Sequence, residues 1–344
     1  MQRMALFLRL VFVLENCLDF GEDAKLMKPE PSKDDDDSLL GWGLDLEVSG
    51  MREKRVGEWQ KPAPSSDSGG RRTRISKKQF GTGEDGAWDR FYAQKGIKFF
   101  KDRHNLRKFF PELLPEYQRD NPEAHHPKLK PDPNAPENGL DTPPADEFLA
   151  GKLLVVEAGC GVGNACFPLL RANPEMFMFS FDFSKVAVDF LRSNAEYDPT
   201  RIFAFVGDLT KESDITRVVG RGKASFATMI WMLSALTPES MPSAVVEANA
   251  LLKKGGCVLL RDYAVGDLAQ IRKCEYKTPV APGLLRRGDG TIAYFFDIDG
   301  LKQLFESKGF RTEYIHYVDR QLENRKRGVQ MDRRWIQAKF EKLF

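Results

Sequence analysis

The chain has 344 residues, of which 42% are hydrophobic and 11% aromatic, enough for a sizeable folded core. Its formal net charge of +2 is too small to indicate nucleic-acid binding by itself, so local clusters must decide that question. The five cysteines form no C-x-x-C pair, and an odd number suits a disulfide framework poorly. These features favour a reduced intracellular protein without a zinc site.

The first 80 residues differ in character from the rest of the chain. The apolar run near the start is too short to span a bilayer, Arg9 interrupts it, and no small-residue cleavage site follows. The acidic run at 34–37 and the Pro-, Ser- and Gly-containing stretch after it predict a disordered or low-order tail over 1–80. We therefore expect a cytoplasmic protein, with the nucleus as an additional compartment, and neither organellar targeting nor a membrane partner.

An aromatic segment follows the tail, over residues 87–114. Trp88 and Tyr92 are four residues apart, which places them on one face of a helix. Proline, Asp and Asn are then frequent over 115–146, as in a connector. We predict an N-terminal segment with its connector over 81–146 and one main domain over 147–344.

Strands and helices alternate from Gly151 onward. Apolar runs predict five strands, over 153–156, 177–181, 202–206, 226–232 and 257–260. Ser184 is a predicted N-cap for a helix over 185–194, and Gly255 is predicted at the C′ position of a later helix. A helix over 300–308 precedes two strands that form a hairpin. The alternation predicts an α/β fold with a Rossmann-like parallel sheet and helices on both faces.

The sequence LLVVEAGCGVGN ends the first predicted strand in three glycines. Ligands of such sheets bind beyond the carboxyl ends of the strands, so Gly159, Gly161 and Gly163 lie where a cofactor would bind. A dinucleotide fingerprint needs its third glycine one place later, at Asn164. Glu157 would repel a pyrophosphate but suits the ammonium and sulfonium groups of S-adenosylmethionine. These departures argue against an NAD-dependent oxidoreductase, which stays the alternative from another class of enzyme.

Acidic residues follow the next two predicted strands. Asp182 lies 19 residues after Gly163, where a carboxylate can bind two ribose hydroxyls. Asp208 follows the third strand and is predicted to accept from an adenine amino group, with Leu209 and Ile230 beside the adenine faces. Either Asp is equally suited to cap a helix, and tight strand–helix turns also use glycine for structure alone. Together, at successive strand ends, these residues favour a nucleoside site.

Nine motifs lie between about residues 87 and 341: WDRFY, FFKDRH, EAGCGVGN, DFS, GDLT, LSAL, RDYAVGDLAQ, RRGDGT and RRWIQAKF. Together they resemble the tRNA N3-methylcytidine methyltransferases, a family of class I S-adenosylmethionine-dependent methyltransferases. The resemblance implies a seven-stranded sheet with an antiparallel last strand. It also implies an enzyme that forms N3-methylcytidine in the anticodon loop of specific tRNAs. Asn105 and Ile292 depart from the family, which usually has an aromatic and a charged residue there.

The resemblance also implies how S-adenosyl-L-methionine is bound. Trp88 and Tyr92 cover the cofactor from the N-terminal segment, and the glycine motif holds its methionine end. Asp182 binds the ribose. The full predicted set of cofactor contacts is Trp88, Tyr92, Glu157, Gly159, Gly161, Gly163, Asp182, Asp208, Leu209 and Ile230.

Cytosine N3 carries a lone pair and no proton, so methyl transfer to it needs no general base. We predict that the carboxylate of Asp262, at the end of the fifth strand, accepts a hydrogen bond from the cytosine amino group. A structural cap or an ion pair with Arg261 is the alternative role. Arg103 and His104 are the predicted contacts to RNA or to the methionine carboxylate, with a packed histidine as the alternative for His104.

Two basic clusters are candidates for contacts to RNA phosphates. In the first, over 95–108, basic and aromatic residues interleave; for the second, over 320–334, a solvated surface is an equally good explanation. Because N3 lies on the Watson–Crick edge, the target base must be unpaired, as in a tRNA loop. The predicted RNA contacts are Lys98, Lys101, Arg107, Lys108 and Arg287.

The expected partner is tRNA, and an aminoacyl-tRNA synthetase or another tRNA-presenting protein is a further candidate. No metal is expected, because His125 and His126 lie in the connector without a third ligand. Two more alternatives stay open: methyl transfer to another RNA, a protein or a small molecule, and a non-catalytic RNA-binding scaffold.

Overall fold

The computed structural model describes residues 86–116, 128–131, 142–271, 281–324 and 329–344, except for the side chains of 323, 324 and 329. The predicted tail over 1–80 lies outside these ranges, as do His125 and His126. Within the ranges, no helix combines the length and the apolar character that crossing a membrane requires.

Among the residues described, seven strands form one sheet and two form a small separate sheet. The strands are β1 (Leu153–Ala158), β2 (Met176–Asp182), β3 (Ile202–Val206), β4 (Ala224–Ile230), β5 (Leu252–Tyr263), β6 (Leu284–Arg286), β7 (Ile292–Tyr294), β8 (Phe310–Asn324) and β9 (Val329–Lys342). The spatial order in the large sheet is β3-β2-β1-β4-β5-β9-β8. Strands β1 to β5 are parallel, whereas β9 is antiparallel to both β5 and β8. The predicted Rossmann-like fold with an antiparallel last strand is confirmed.

Helices connect the strands and cover the sheet. Their bounds are α1 (Ala87–Lys95), α2 (Leu106–Phe109), α3 (Asp146–Leu149), α4 (Cys166–Ala172), α5 (Lys185–Arg192), α6 (Thr216–Val219), α7 (Met241–Leu251) and α8 (Ile298–Glu306). Helix α1 belongs to the predicted N-terminal segment, and α4 to α7 lie between strands of the sheet. A connection between neighbouring parallel strands usually contains a helix that returns the chain to the start of the next strand.

The core lies on both faces of the sheet, as the strand sequences require. Every residue of β2 is buried, and alternate side chains belong to different clusters: Phe177 and Phe179 to one, Met176 and Met178 to the other. Successive side chains of a strand point to opposite faces, so the continuous apolar run of β2 reflects burial on both sides.

One of the two predicted caps is confirmed and the other is wrong. The Ser184 hydroxyl accepts from the Ala187 N–H at 3.2 Å and caps α5. Gly255 does not occupy the C′ position, because α7 ends at Leu251 and the chain enters β5 at once. The pairing of β5 with β4 shifts register after Leu252, so Gly255, with φ of 74°, lies in an irregular stretch of the strand.

Candidate active site

A pocket opens at the carboxyl ends of the parallel strands, beside the point where β1 and β4 meet. The connections of β1 and β4 lead to opposite sides of the sheet, and such switch points are where open α/β sheets bind ligands. The lining residues are Trp88, Tyr92, Phe100, Arg103, Glu157, Gly159, Cys160, Gly161, Asn164, Ala165, Ile230, Trp231, Ser234, Ala235, Tyr263 and Arg287.

The lining of this pocket has two parts that consist of different kinds of residue. We call Glu157, Gly159 and Gly161, together with Trp88 and Tyr92, the glycine end of the pocket. We call the part that follows β4 and β5 the rim end; it consists of Trp231, Ser234, Tyr263 and Arg287. Arg103 lines the pocket as well; it lies over Trp231 at the rim end, and its charge acts on Glu157 at the glycine end.

All three glycines of the motif have left-handed backbone, with φ of 69°, 53° and 93° at Gly159, Gly161 and Gly163. A Cβ at Gly159 would lie 2.4 Å from Met232 Cγ, and one at Gly161 would lie 2.7 Å from the Tyr92 hydroxyl oxygen. These two glycines therefore shape the pocket itself. Gly163 lies outside the lining, where a Cβ would be 2.4 Å from the Phe167 ring, so its role in the structure is close packing of α4.

Helix α1 covers the glycine end, with the predicted pair on one face. The rings of Trp88 and Tyr92 are 5.9 Å apart, and Tyr92 is buried. A residue that the sequence analysis missed fixes this helix: the Asp89 carboxylate accepts from the Ser184 hydroxyl at 2.5 Å and from the Val186 N–H at 3.3 Å. Asp89 thereby attaches α1 to the start of α5.

Glu157 lines the pocket at the end of β1 and is almost completely buried. Burial raises the pKa of its carboxyl group to about 8, although the Cys166 thiol and the charge of Arg103 lower it in part. The Cys166 sulfur donates to Glu157 Oε2 at 3.4 Å. A cation bound at the glycine end would favour the charged carboxylate.

Asp182 lies directly beneath the glycine loop. Its Oδ2 accepts from the Gly161 N–H and its Oδ1 from the Ser184 N–H, both at 2.9 Å. Burial raises the pKa of this carboxyl group to about 6, although the two backbone hydrogen bonds lower it in part. The carboxylate thus joins the end of β2 to the loop after β1, next to the pocket but outside its lining.

The predicted adenine contacts are brought together only in part. Ile230 lines the pocket. Asp208 Oδ1 accepts from the N–H and the hydroxyl of Thr210, at 2.9 and 2.7 Å, which is a local turn. Leu209 is buried in the main core cluster. Neither Asp208 nor Leu209 lines the pocket, and their contacts to adenine stay a prediction.

Asp262 is fully buried behind the rim end. Its Oδ2 accepts from the Ser234 N–H and its Oδ1 from the Tyr263 N–H, both at 2.9 Å. Burial raises the pKa of this carboxyl group to about 6, although the hydrogen bonds and the charge of Arg287 lower it in part. The structural role that was the alternative for Asp262 is therefore present, and its contact to a base stays a prediction.

Trp231 is one of three rim residues that the sequence analysis missed, together with Ser234 and Tyr263. It has a left-handed backbone with φ of 60°, which is costly for a bulky residue and concentrates at functional sites. Its ring packs 4.9 Å from that of Tyr263 and 5.5 Å from that of Trp335, and the Arg103 guanidinium lies 5.6 Å above it. The aromatic residues come from three distant positions in the chain, so no local motif reveals them.

The predicted RNA contacts separate into two groups. Arg287 is buried at the rim end, 5.6 Å from the Tyr263 ring, and burial lowers the pKa of its guanidinium. Lys98 and Lys101 are exposed outside the lining. The remaining predicted residues also lie outside the lining: half-buried Arg107 and Lys108, and His104, whose side chain is 48% exposed and 4.0 Å from Asp102.

In the second basic cluster, two arginines form ion pairs within the protein. Arg333 donates to both carboxylate oxygens of buried Asp267, at 3.2 and 2.9 Å. Arg334 pairs with Asp319 at 2.7 Å. Arg334 is therefore explained by a pair within the β8–β9 hairpin, and Arg333 by a pair between β9 and the segment after β5.

Possible metal ligands and cysteine thiols are the remaining reactive groups of the described part of the chain. No group of three or more His, Cys, Asp or Glu residues there is placed to hold a metal ion. Cys160, Cys166 and Cys257 are free thiols.

Known proteins with a similar sequence identify the family of this chain. A family model described as "Methyltransferase domain" matches residues 155–256, which include the glycine loop. The tRNA N(3)-cytidine methyltransferase METTL2 of Danio rerio is 36% identical over 307 residues, which cover 88% of this chain and 83% of that protein.

Two further relatives extend this result. The tRNA N(3)-cytidine methyltransferase METTL2B of Homo sapiens is 35% identical, with 74% of this chain and 77% of that protein covered. O-methyltransferase 3 of Dictyostelium discoideum is 32% identical, with 74% and 69% covered. On the extent of its likeness to the METTL2 proteins, this chain belongs to the tRNA N(3)-cytidine methyltransferase family.

Proposed function

We propose that this chain transfers the methyl group of S-adenosyl-L-methionine to N3 of a cytidine in tRNA, within the anticodon loop. The observation that carries the proposal is the pocket, whose glycine end suits a nucleoside with a cationic amino acid and whose rim end suits a planar base. Membership of the tRNA N(3)-cytidine methyltransferase family supports the same reaction.

The glycine end fits S-adenosyl-L-methionine. Bare backbone at Gly159 and Gly161 leaves the space that a Cβ would fill, and Glu157 offers an acceptor to the ammonium group. We assign the cover of the cofactor to Trp88 and Tyr92. When bound, the cofactor supplies an electrophilic methyl group on a sulfonium centre.

Asp182 serves the ribose in this proposal and also shapes the loop. Each of its oxygens accepts one backbone hydrogen bond, and a carboxylate oxygen has a second lone-pair site for a hydroxyl. Ile230 contacts the adenine, and Asp208 and Leu209 reach it only if the turn at 208–210 approaches the ligand.

The rim end has to hold the base rather than to move a proton. Cytosine N3 needs no deprotonation, so alignment of N3 with the methyl donor is the main requirement. Tyr263 and Trp231 offer aromatic surfaces, which recognise unpaired bases by stacking. Asp262, behind Ser234, provides negative charge where the methylated base becomes cationic. Arg103 contacts the RNA or the methionine carboxylate, and Arg287 contacts the RNA.

The exposed lysines of the N-terminal segment extend this surface. Lys98 and Lys101 follow α1 directly and are assigned to tRNA phosphates, with Arg107, Lys108 and His104 beside them. A synthetase or another tRNA-presenting protein is a proposed additional partner. The proposed compartment is the cytoplasm, with the nucleus as an additional one, in keeping with the free thiols of Cys160, Cys166 and Cys257.

Incubation of the purified protein with methyl-labelled S-adenosylmethionine and unmodified tRNA tests the proposal. The tRNA is then digested to nucleosides, and label in 3-methylcytidine is the expected result. Absence of this label, while calorimetry shows that the cofactor binds, would contradict the reaction for the protein alone. Repetition with an added synthetase fraction then tests the need for a partner.

A different acceptor is the second candidate, because one relative is named O-methyltransferase 3. Label that appears in a sugar hydroxyl, a protein or a small molecule, and not in 3-methylcytidine, would favour it. The cofactor end of the pocket would then keep its role and only the rim end would need a new assignment.

A further inference from the structure

Asn164 joins the glycine loop to the N-terminal segment. Its Nδ2 donates to the carbonyl oxygen of Phe100 at 3.1 Å and lies 3.4 Å from Asp102 Oδ1. Its own carbonyl oxygen accepts from the N–H of Arg103 at 2.7 Å. One residue of the loop thus contacts three of four consecutive residues of a segment about sixty positions earlier in the chain.

The segment held in this way carries Arg103 into the pocket. The Arg103 guanidinium lies 5.6 Å above the Trp231 ring at the rim end. At the glycine end its positive charge lowers the pKa of Glu157, against the larger effect of burial. Arg103 is therefore a lining residue of the N-terminal segment whose charge acts at the glycine end and whose guanidinium lies over the rim end.

A second anchor strengthens the same attachment. Asp102 Oδ2 accepts from Arg171 Nη2 at 3.2 Å, and Arg171 is itself held by Glu196 through two hydrogen bonds of 2.7 and 2.8 Å. The carboxylate that Asn164 approaches is thus fixed from the side of α4. Asn164 and Arg171 together set the backbone from which the Arg103 side chain extends.

We propose that Asn164 is a positioning residue that places Arg103 in the pocket, so that the glycine loop and the segment 100–103 act as one unit in binding the cofactor and the acceptor. The part of this inference that concerns the acceptor rests on the proposed function. The part that concerns cofactor binding is the same whichever acceptor is used. The amide group is essential because it is the donor to Phe100.

Asn173 offers a matched control. Its Nδ2 also donates to a carbonyl oxygen of the N-terminal segment, that of Leu113, at 2.8 Å. It is buried and lies outside the pocket lining. Asn173→Ala therefore removes the same kind of bond to the same segment without direct access to Arg103.

The experiment is a double-mutant cycle on the full-length protein. The single variants are Asn164→Ala, Asn164→Asp, Arg103→Ala and Asn173→Ala. The two double variants combine Arg103→Ala with Asn164→Ala or with Asn173→Ala. Two quantities are measured for each: the Kd for S-adenosylhomocysteine by calorimetry, and kcat and KM for methyl transfer to tRNA. Thermal midpoints show which variants fold.

In the wild-type background, we expect Asn164→Ala to raise the cofactor Kd and to lower kcat/KM, each by about tenfold. In the Arg103→Ala background, the same substitution should change either quantity by less than about twofold. Asn164→Asp should be worse than Ala, because a carboxylate cannot donate to Phe100 and repels Asp102. Asn173→Ala should lower the thermal midpoint and change either quantity by no more than about twofold in both backgrounds.

Additive effects of Asn164→Ala and Arg103→Ala would overturn the inference. So would an Asn164→Asp variant milder than Ala, an Arg103→Ala variant without effect, or an equal loss in Asn173→Ala. If wild-type protein makes no 3-methylcytidine, either alone or with an added synthetase fraction, the proposed function fails, while a non-additive cycle on cofactor Kd still supports the role of Asn164.

Discussion

The backbone of the glycine loop, under the cover of Trp88 and Tyr92, shapes the glycine end of the pocket, whereas aromatic and charged side chains shape the rim end. At the glycine end, Gly159 and Gly161 have positive φ and bring the loop against Met232 and Tyr92. At the rim end, Trp231 and Tyr263 form an aromatic wall with a buried arginine, Arg287. The difference indicates that cofactor binding and acceptor binding should respond to different substitutions.

The largest expected effect is at Gly161. Gly161→Ala strains a backbone with φ of 53° and displaces the Tyr92 hydroxyl, 2.7 Å from the new Cβ. We expect the cofactor Kd to rise by about 100-fold or more, with transfer lost in parallel. Gly222→Ala is the matched control, since φ there is 67° and nothing lies within 4 Å of a Cβ. Equal cofactor affinity in the two variants would contradict the role of the close approach.

Asp262→Asn should impair catalysis at the rim end without weakening cofactor binding, whereas Gly161→Ala should impair cofactor binding itself. The change removes the negative charge near the base and, because an amide nitrogen cannot accept, one of the two backbone hydrogen bonds to Asp262. The glycine end is left untouched. We expect kcat to fall by about 100-fold and the cofactor Kd to change by less than about twofold. A folded variant that binds cofactor and keeps full turnover would show that Asp262 only holds Ser234 and Tyr263.

Glu157 predicts how cofactor affinity depends on pH. The carboxyl group has a pKa of about 8 in the protein, and an ammonium ligand favours its charged form. Binding therefore releases a proton, and affinity should rise by about tenfold from pH 6.5 to pH 8.5. Calorimetry over this range measures it, and Glu157→Gln should bind more weakly with a nearly flat profile. An unchanged slope in Glu157→Gln would assign the dependence to another group.

The same carboxyl group affects stability when no cofactor is bound. Its pKa is raised from 4.5 to about 8, so the folded protein holds the proton more tightly than the unfolded chain. The associated stability is fully present below pH 4.5 and is lost as pH rises towards 8. Denaturant titrations should show a smaller loss over this window in Glu157→Gln, by an amount on the order of 1 kcal/mol or more.

The smallest expected effect is outside the pocket. Joint substitution of Lys98 and Lys101 by Ala should raise KM for tRNA by about three- to tenfold, weaken its salt dependence and leave cofactor Kd unchanged. Arg334→Ala, which breaks the pair with Asp319 in the second basic cluster, is the control with an expected change below about twofold. A larger effect of Arg334→Ala would assign the RNA surface to the β8–β9 hairpin.

Much of the sheet and of the glycine end follows from local sequence patterns. Apolar runs mark β1 to β5, and the glycines mark the loop, because hydrophobic period and positive φ are both local demands. Gly163 shows the limit of the motif, since its contact is with Phe167 rather than with the pocket. Asp208 forms a turn with Thr210, and its contact to adenine stays a prediction.

The rest of the site depends on contacts between remote segments. Asp89 acts through Ser184, and Asn164 through Phe100, pairs that are 95 and 64 residues apart. Trp231, directly after β4, packs against Trp335 of β9, and β5 lies between these two strands in the sheet. No local period specifies such partners, so only the folded arrangement identifies these residues as parts of the site.

The most direct test of the two-ended pocket is photochemical. A tRNA with 5-iodocytidine at the methylated position is irradiated with the protein and S-adenosylhomocysteine, and the crosslinked peptide is identified by mass spectrometry. The account predicts a crosslink to Trp231 or Tyr263, at the rim end. A crosslink to Trp88 or Tyr92, at the glycine end, would contradict it.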